Sequence, residues 1–268
     1  MKRKLLFFDL DGTLLPEGHG AITPSAVAAM EQARENGHLC FVNTGRPMGS
    51  VGDNVRSFPF DGYICGCGTH IIYEDQTLSH VEIPAEILYE LVKWNERERI
   101  DIFFEGEEGL IFPPNAEFKD LDLMEYYFKL QGADVRYYDY DISSPEDINF
   151  RVDKFSMWFD PEEPPVEFRS YLEQYFSIIE RHDDFWEVIP KGYSKASGIR
   201  DLVRSLGADM TDTISFGDSY NDVTMFSCTK DSVLVGSRFP DLKDQVTYVT
   251  AELEEDGVAK ALAHFGLL

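Results

Sequence analysis

Two aspartates lie two positions apart directly after a short apolar run, in the segment FFDLDGTL at residues 7–14. Asp9 comes where the run ends, and Gly12 permits a sharp turn, so we expect Asp9 and Asp11 to face one crevice. A second apolar run, residues 213–216, is followed at once by Gly217 and Asp218. Ligands in open α/β sheets bind outside the carboxyl ends of the strands. The two runs therefore predict that these carboxylates meet at a ligand-binding edge.

Carboxylates held this close need a cation. Two negative charges roughly 4 Å apart repel by about 4 kcal/mol when the effective dielectric constant is about 20. Oxygen-only ligation with room for water and a phosphate oxygen favours magnesium over zinc. A calcium-binding loop does not fit, because the twelfth position counted from Asp9 is Gly20 rather than glutamate.

Paired aspartates also occur as solvated turn residues. The Asp-Leu-Asp segment at residues 120–122 and the Asp-Tyr-Asp segment at 139–141 fit that interpretation, since neither follows a buried strand or precedes Gly-Thr. Asp9 and Asp11 meet both conditions, so we expect them to do chemistry.

Phosphate needs donors opposite a metal. Thr44 and Gly45 follow the apolar run at residues 39–42 and offer a hydroxyl and backbone N–H groups at a third strand end. Lys195, near the start of a predicted helix, supplies a fixed positive charge. A Thr-Gly turn alone is usually only a turn and a lone lysine is usually solvated, but their order and placement favour a phosphate site.

The elements that position these residues read as an α/β protein. Short apolar runs typical of doubly buried parallel strands occur at residues 5–8, 39–42, 63–65, 213–216 and 232–235. The clearest helix is predicted at residues 24–36, with Thr23 as N-cap and Gly37 after the end. The middle third instead contains two helix-plus-hairpin units. It is therefore predicted to be an inserted α+β domain, entered near Pro84 and left near Pro190.

Composition narrows the partners. The 268-residue chain has 43% hydrophobic and 27% charged residues, as expected for a globular protein of one large or two modest domains. A net charge of −25 with no polybasic cluster argues against nucleic acid and membrane surfaces as partners. Four cysteines do not form a disulfide framework or a zinc site, so we expect reduced thiols and a cytoplasmic location.

Four motifs in this order resemble those of the haloacid dehalogenase-superfamily phosphatases. They are Asp9-Leu10-Asp11-Gly12-Thr13, Thr44-Gly45-Arg46-Pro47, Lys195 and Gly217-Asp218-Ser219-Tyr220-Asn221-Asp222. The insert is similar to the C2B cap of the Cof-type branch. The resemblance implies a Rossmann-like doubly wound parallel sheet formed by residues 1–83 and 190–268, with a cap domain at 84–189.

The resemblance also assigns roles. Asp9 is expected to be the nucleophile that forms an aspartyl phosphate, and Asp11 the general acid and base. Magnesium is expected on Asp9, Asp218 and the backbone carbonyl of Asp11, with Asp222 as a candidate for its outer shell. The phosphoryl oxygens are expected on four residues: Thr44, Gly45, Lys195 and Asn221.

The chain departs from the family pattern at one position, and five residues of the cap are candidates for substrate contacts. Cys67-Gly68 stands where the family often has Asn-Gly, so a substrate contact made by that asparagine is not carried over to this chain, whereas the chemistry is. Candidates for substrate contacts on the cap are Arg151, Lys154, His182, Trp186 and Glu187. For each of them an ordinary structural role is favoured: Trp186 in the core, Arg151 and Lys154 solvated or ion-paired, His182 in a turn and Glu187 exposed on a strand.

The sequence thus predicts a magnesium-dependent phosphohydrolase acting on small phosphorylated metabolites, such as sugar phosphates or phosphorylated cofactors, and is compatible with a monomer. A phosphomutase would use the same intermediate and return the phosphoryl group. A catalytically silent phosphometabolite-binding regulator on the same fold is disfavoured because Asp9 and Asp11 are both present.

Overall fold

The computed structural model describes residues 2–16, 20–98, 100–114, 134–138 and 141–268. The chain divides into two compact units. The first comprises Met1–Gly45, Gly52–Ser79 and Ser194–Leu268, and the second comprises Arg46–Val51 and His80–Tyr193. The assignment of residues 84–189 as a cap domain stays a prediction. The Asp-Leu-Asp segment at 120–122 and the first two residues of the 139–141 segment lie outside the described residues.

The first unit is built on an eight-stranded sheet in the order β14-β13-β12-β1-β2-β3-β4-β5. Its strands are β1 (Leu5–Phe8), β2 (Leu39–Asn43), β3 (Gly62–Cys65), β4 (His70–Tyr73), β5 (Gln76–His80), β12 (Thr213–Gly217), β13 (Asp231–Leu234) and β14 (Tyr248–Val249). The six strands from β14 to β3 pair in parallel, and β4 returns antiparallel to β3. The α/β fold class predicted from continuous apolar runs is confirmed.

Helices of the first unit are α1 (Pro24–Glu35), α2 (Asp53–Arg56), α5 (Lys195–Ser205), α6 (Val223–Cys228) and α7 (Gly257–His264). α1 begins with proline at its first position and ends before Gly37, whose φ of +89° suits glycine. Thr23 occupies the N-cap position as predicted, but its hydroxyl makes no capping hydrogen bond. Aromatic rings from adjacent strands pack in the sheet, with Phe8 and Phe216 centroids 4.5 Å apart.

The second unit is built on a six-stranded sheet in the order β10-β11-β9-β6-β7-β8. Its elements are α3 (Ala85–Arg97), β6 (Ile100–Gly106), β7 (Gly109–Phe112), β8 (Val135–Tyr137), β9 (Lys154–Phe159), α4 (Val166–Tyr175), β10 (Phe176–His182) and β11 (Phe185–Pro190). Residues of α3 and α4 join the apolar cluster on one sheet face, for example Leu91 and Phe168, which are fully buried.

One expectation for this second sheet is wrong. Glu187 is not exposed: only 4% of its surface is accessible, because Lys154 and Arg181 neutralise it within the sheet. Lys154 is ion-paired as expected, but it is also buried. Trp186 lies in the core as expected.

The other two cap candidates lie at the surface. Arg151 pairs with Glu82, and His182 ends β10 as an exposed residue beside the turn. Among the described residues, no helix is long and apolar enough to cross a membrane.

Candidate active site

The candidate site lies where β1 and β12 end side by side. The two strands pair in parallel with Phe8 opposite Phe216, and Asp9 extends the pairing by donating its backbone N–H to the Phe216 carbonyl oxygen at 2.9 Å. Asp218 follows β12 directly. Carboxylate oxygens of Asp9, Asp218 and Asp222 lie within 4.8 Å of one another, and all three residues are buried. The strand ends thus bring together the acids that the sequence placed after apolar runs.

Gly12 is required by the approach of Asp218 to the loop after β1. Its φ of +81° is one that side chains disfavour, and a Cβ there would lie 2.6 Å from Asp218 Cγ. Thr13 Oγ1 lies 3.5 Å from Asp218 Oδ1. Asp11 is half-buried, and its charge adds to the larger effects of burial and of Asp222 in raising the pKa of both Asp9 and Asp218. Gly12 therefore lets the two segments share one crevice.

Lys195 bridges two of the carboxylates. Its ammonium lies 2.7 Å from Asp9 Oδ1 and 2.6 Å from Asp222 Oδ1, and its side chain is 1% exposed. Ser194 fixes the start of α5 with a capping box, in which its Oγ accepts from Ser197 N at 3.1 Å and its N donates to Ser197 Oγ at 2.8 Å. Lys195 is thereby held as the first residue of the helix.

Asp222 organises the loop that carries Asp218. Its Oδ2 accepts from the backbone N–H groups of Asp218 at 2.9 Å and Ser219 at 3.1 Å, while its Oδ1 faces Lys195. Both oxygens therefore have protein partners. The sequence indicated an outer-shell metal role for Asp222 and missed its pairing with Lys195, which depends on the fold bringing α5 against the loop.

Thr44 and Gly45 lie at the end of β2, the neighbour of β1. Thr44 is buried, donates its N–H to the Ile64 carbonyl at 2.9 Å and accepts from Cys67 N at 3.1 Å. Cys67 has a left-handed φ of 56°, which asparagine adopts more readily than cysteine. The Cys67-Gly68 turn thus supports the Thr44 backbone through a backbone hydrogen bond. This support does not depend on the side chain at position 67.

Of the residues predicted to bind phosphate, Asn221 has the weakest connection to the charged cluster, which is formed by Asp9, Asp218, Asp222 and Lys195. Its side chain is half-buried, and its amide oxygen accepts from Ser219 Oγ at 2.6 Å. In this geometry, the amide of Asn221 stabilises the loop rather than meeting the three carboxylates.

The electrostatics follow from burying several acids together. Burial, followed by the charge of Asp222, raises the pKa of Asp9 well above its usual value, and Lys195 opposes this. Burial and the charge of Asp222 likewise raise the pKa of Asp218 to about 7. For Lys195, burial acts to lower the pKa, but the charges of Asp222 and Asp9 outweigh it and raise the pKa. The site carries an excess of buried negative charge that a cation would relieve.

The sequence pattern of the haloacid dehalogenase-like hydrolases matches residues 6–262. The chain belongs to this haloacid dehalogenase-like family. It is 26% identical over 270 residues to the putative phosphatase YkrA of Bacillus subtilis, with 100% of each chain covered. It is also 26% identical over 276 residues to the HMP-PP phosphatase of Yersinia enterocolitica, covering 98% of this chain and 95% of the relative.

A solved structure of the same superfamily, the subclass IIB sugar phosphatase BT4131, matches with a TM-score of 0.80 and 27% identity. The match covers 99% of this chain and 100% of that chain. The enzyme class predicted from the sequence, a phosphatase of the haloacid dehalogenase-like family, is confirmed. Phosphatases of this family generally use a metal ion.

Proposed function

We propose that this haloacid dehalogenase-like phosphatase is a magnesium-dependent phosphohydrolase that releases phosphate from small phosphorylated metabolites through an aspartyl phosphate on Asp9. The observation that carries the proposal is the group of three buried carboxylates at adjoining strand ends, two of which, those of Asp9 and Asp222, pair with the ammonium of Lys195. Such an arrangement is costly for a protein unless a bound cation offsets the negative charge.

The residues present fit a magnesium ion. Asp9 and Asp218 offer carboxylate oxygens, and the backbone carbonyl of Asp11 adds a neutral oxygen, which is the type of donor that magnesium prefers. Asp222 is a poorer ligand because both its oxygens have partners. When bound, magnesium would offset the negative charge of the carboxylates and of a phosphoryl group.

Asp9 is proposed to begin the reaction. One of its carboxylate oxygens forms a bond to phosphorus while the bond from phosphorus to the ester oxygen breaks, which leaves the phosphoryl group on Asp9. The Lys195 ammonium, 2.7 Å from Asp9 Oδ1, holds the carboxylate in place and offers positive charge to the phosphoryl oxygens.

Asp11 is proposed to move the protons. It donates a proton to the ester oxygen as that oxygen leaves, and then takes a proton from water. The water oxygen bonds to phosphorus, the bond to Asp9 breaks, and inorganic phosphate and the free carboxylate result. The half-buried position of Asp11 suits a group that exchanges protons with substrate and water.

Phosphate binding is assigned to Thr44, Gly45, Lys195 and Asn221. Thr44 and Gly45 lie at the strand end beside Asp9, which supports this role. Asn221 would donate to a phosphoryl oxygen through its Nδ2 while its Oδ1 keeps the bond from Ser219 Oγ, and it is the least supported of the four because its side chain contacts the loop rather than the carboxylates. The second unit is proposed to be the cap that selects small substrates, such as sugar phosphates or phosphorylated cofactors. HMP-PP, named for one relative, is one such compound to test.

Phosphate release from a panel of phosphorylated metabolites and a generic aryl phosphate, with magnesium, tests the proposal. We expect release that requires added magnesium and favours small substrates. Isomer formation without phosphate release would instead identify a phosphomutase. If neither phosphate nor isomers form across the panel, the proposal is wrong and a silent binding protein is favoured.

A further inference from the structure

Asn43 connects two parts of the candidate site through its side chain. It ends β2 immediately before Thr44 and is completely buried. Its amide Nδ2 donates to the backbone carbonyl oxygen of Lys195 at 3.2 Å, and Met225 Sδ lies 3.5 Å from the same nitrogen. One side chain therefore joins the strand that carries Thr44 to the residue that supplies the ammonium.

The bond is not needed to satisfy the helix. Lys195 is the first residue of α5, so its carbonyl can accept an intrahelical hydrogen bond, and the amide of Asn43 uses the second lone pair. The unpaired carbonyls of a helix are at its other end. The contact therefore fixes the position of the Lys195 backbone and does not replace a missing hydrogen bond of the helix.

Asn43 also has a cost that a simple packing residue would avoid. Within the part of the chain that the structure describes, its Oδ1 is buried without a hydrogen-bond partner. A buried acceptor without a partner lowers stability, and an apolar side chain at the end of an apolar strand would not incur that loss. Retaining an amide here is consistent with a specific use for its donor.

We propose that Asn43 is a positioning residue for the reaction, which holds the Lys195 backbone so that the ammonium remains between Asp9 and Asp222. The lysine side chain has several rotatable bonds, and its ammonium must lie within 2.7 Å of Asp9 Oδ1 and 2.6 Å of Asp222 Oδ1. An anchored backbone narrows the positions that the ammonium can reach. This inference rests on the proposed phosphatase role of Lys195.

Asn36 provides a matched control. Its Nδ2 also donates to a backbone carbonyl distant in sequence, that of Leu267, at 3.1 Å. Asn36 follows α1 and belongs to the same unit, but it is an exposed residue outside the charged cluster. Asn36→Ala therefore removes the same kind of bond without touching the proposed catalytic residues.

The test compares Asn43→Ala and Asn36→Ala by steady-state release of phosphate from an aryl phosphate with magnesium. Circular dichroism and thermal unfolding establish that each variant is folded. We expect Asn43→Ala to lower kcat by about 10- to 100-fold, because small displacements of a catalytic group have effects of this size. Asn36→Ala should leave kcat unchanged. A folded Asn43→Ala protein with the wild-type kcat would overturn the inference.

A double-mutant cycle separates positioning from general loosening. Because both changes act through one ammonium, Asn43→Ala should lower kcat less in a Lys195→Arg background than in the wild type. Effects that simply multiply would contradict the proposal. Asn43→Ser, a smaller change, is subjected to the same cycle if the alanine variant does not fold.

Calorimetric titration with inorganic phosphate in magnesium buffer gives a readout that does not require turnover. We expect Asn43→Ala to weaken phosphate binding and Asn36→Ala to leave it unchanged, and equal binding by all three proteins would reject the inference. Absence of wild-type turnover with normal phosphate binding refutes the hydrolase function alone. Loss of function in the Asn36 control as large as that of Asn43→Ala would refute the positioning role alone.

Discussion

Each of the two units buries a lysine between two carboxylates, but the charge around the two lysines differs. In the second unit, Lys154 lies 2.7 Å from Glu187 Oε1 and 3.2 Å from Glu105 Oε1. Arg181 Nε donates to Glu187 at 2.8 Å, and Ser156 Oγ donates to Glu105 at 2.7 Å. Two cations there match two carboxylates, and Glu105 has a further hydrogen bond from the Ser156 hydroxyl.

In the first unit, Lys195 pairs with Asp9 and Asp222, and Asp218 adds a third buried carboxylate. Among the described residues, Lys195 makes the ion pairs of this cluster, and no second ammonium or guanidinium pairs directly with these acids. The comparison shows that burial of charge by itself does not mark function. Excess charge of one sign is the better indication of a functional site, because burial makes it costly unless a bound ligand or a proton offsets it.

The largest expected effect that distinguishes the clusters is on turnover. Asp9→Asn removes the proposed nucleophile while preserving the size of the side chain, so we expect kcat to fall by more than about 1000-fold. Glu105→Gln makes the same type of change in the cluster of the second unit, where Lys154 and Arg181 balance Glu105 and Glu187. This change in the balanced cluster should leave most of kcat intact. Measurement of initial rates with magnesium checks both. A turnover rate near that of the wild type for Asp9→Asn would remove Asp9 from the nucleophile role.

Stability should respond to the two clusters with opposite sign. Glu187→Gln leaves Lys154 and Arg181 without their shared carboxylate, so we expect a loss of about 3 to 5 kcal/mol in the free energy of unfolding. Asp218→Asn relieves repulsion among buried acids, so in metal-free protein it should raise that free energy by about 1 kcal/mol. Urea unfolding near neutral pH in the presence of a chelator checks both. If the two changes lower the free energy of unfolding by similar amounts, the negative charge around Lys195 in the first unit is not in excess.

Of the two clusters, only the unbalanced one, formed by Asp9, Asp218, Asp222 and Lys195, is expected to bind a metal ion. Asp218→Asn removes a proposed ligand, so the magnesium concentration for half-maximal activity should rise by at least about 10-fold. Glu105→Gln should not change that concentration. Titration of activity with magnesium after chelation measures both values. An unchanged requirement in Asp218→Asn would exclude Asp218 as a ligand.

The sequence was sufficient to predict where the residues that depend on local order along the chain lie, while their catalytic and binding roles stay predictions. Asp9, Asp218 and Thr44 each follow a continuous apolar run, and parallel pairing brings such strand ends together without further information. Lys195 was found by its place before a helical pattern. These predictions needed the order of elements but not their packing.

What the sequence missed depends on which neighbours packing supplies. Glu187 is a single acid within an apolar stretch of β11 and was expected at the surface, but Lys154 lies on the neighbouring strand β9 and Arg181 on β10. The pairing of Asp222 with Lys195 and the contact from Asn43 to the Lys195 backbone both cross from one element to another. No single stretch of sequence contains such pairs.

The pH dependence of stability gives the finest test of the balanced cluster. For Glu187, burial acts to raise the pKa, but Lys154 and Arg181 outweigh it, so the pKa lies below its usual value of 4.5. A carboxyl group whose pKa is lower in the folded protein stabilises it above the unfolded pKa. That contribution disappears as the pH falls through the folded value. The stability difference between wild type and Glu187→Gln should therefore be fully present near neutral pH and shrink below pH 4.5.

Glu105 should behave in the opposite way. Burial raises its pKa above the usual value of 4.5, although Lys154 opposes the shift. Its ionised form therefore costs stability near neutral pH, and that cost is relieved as the pH falls through the raised pKa. Urea unfolding of wild type, Glu105→Gln and Glu187→Gln at several pH values separates the two trends. If the stability differences do not vary with pH, neither carboxyl group has the shifted pKa that its neighbours are expected to cause. The proposed balance of charge around Lys154 would then be wrong.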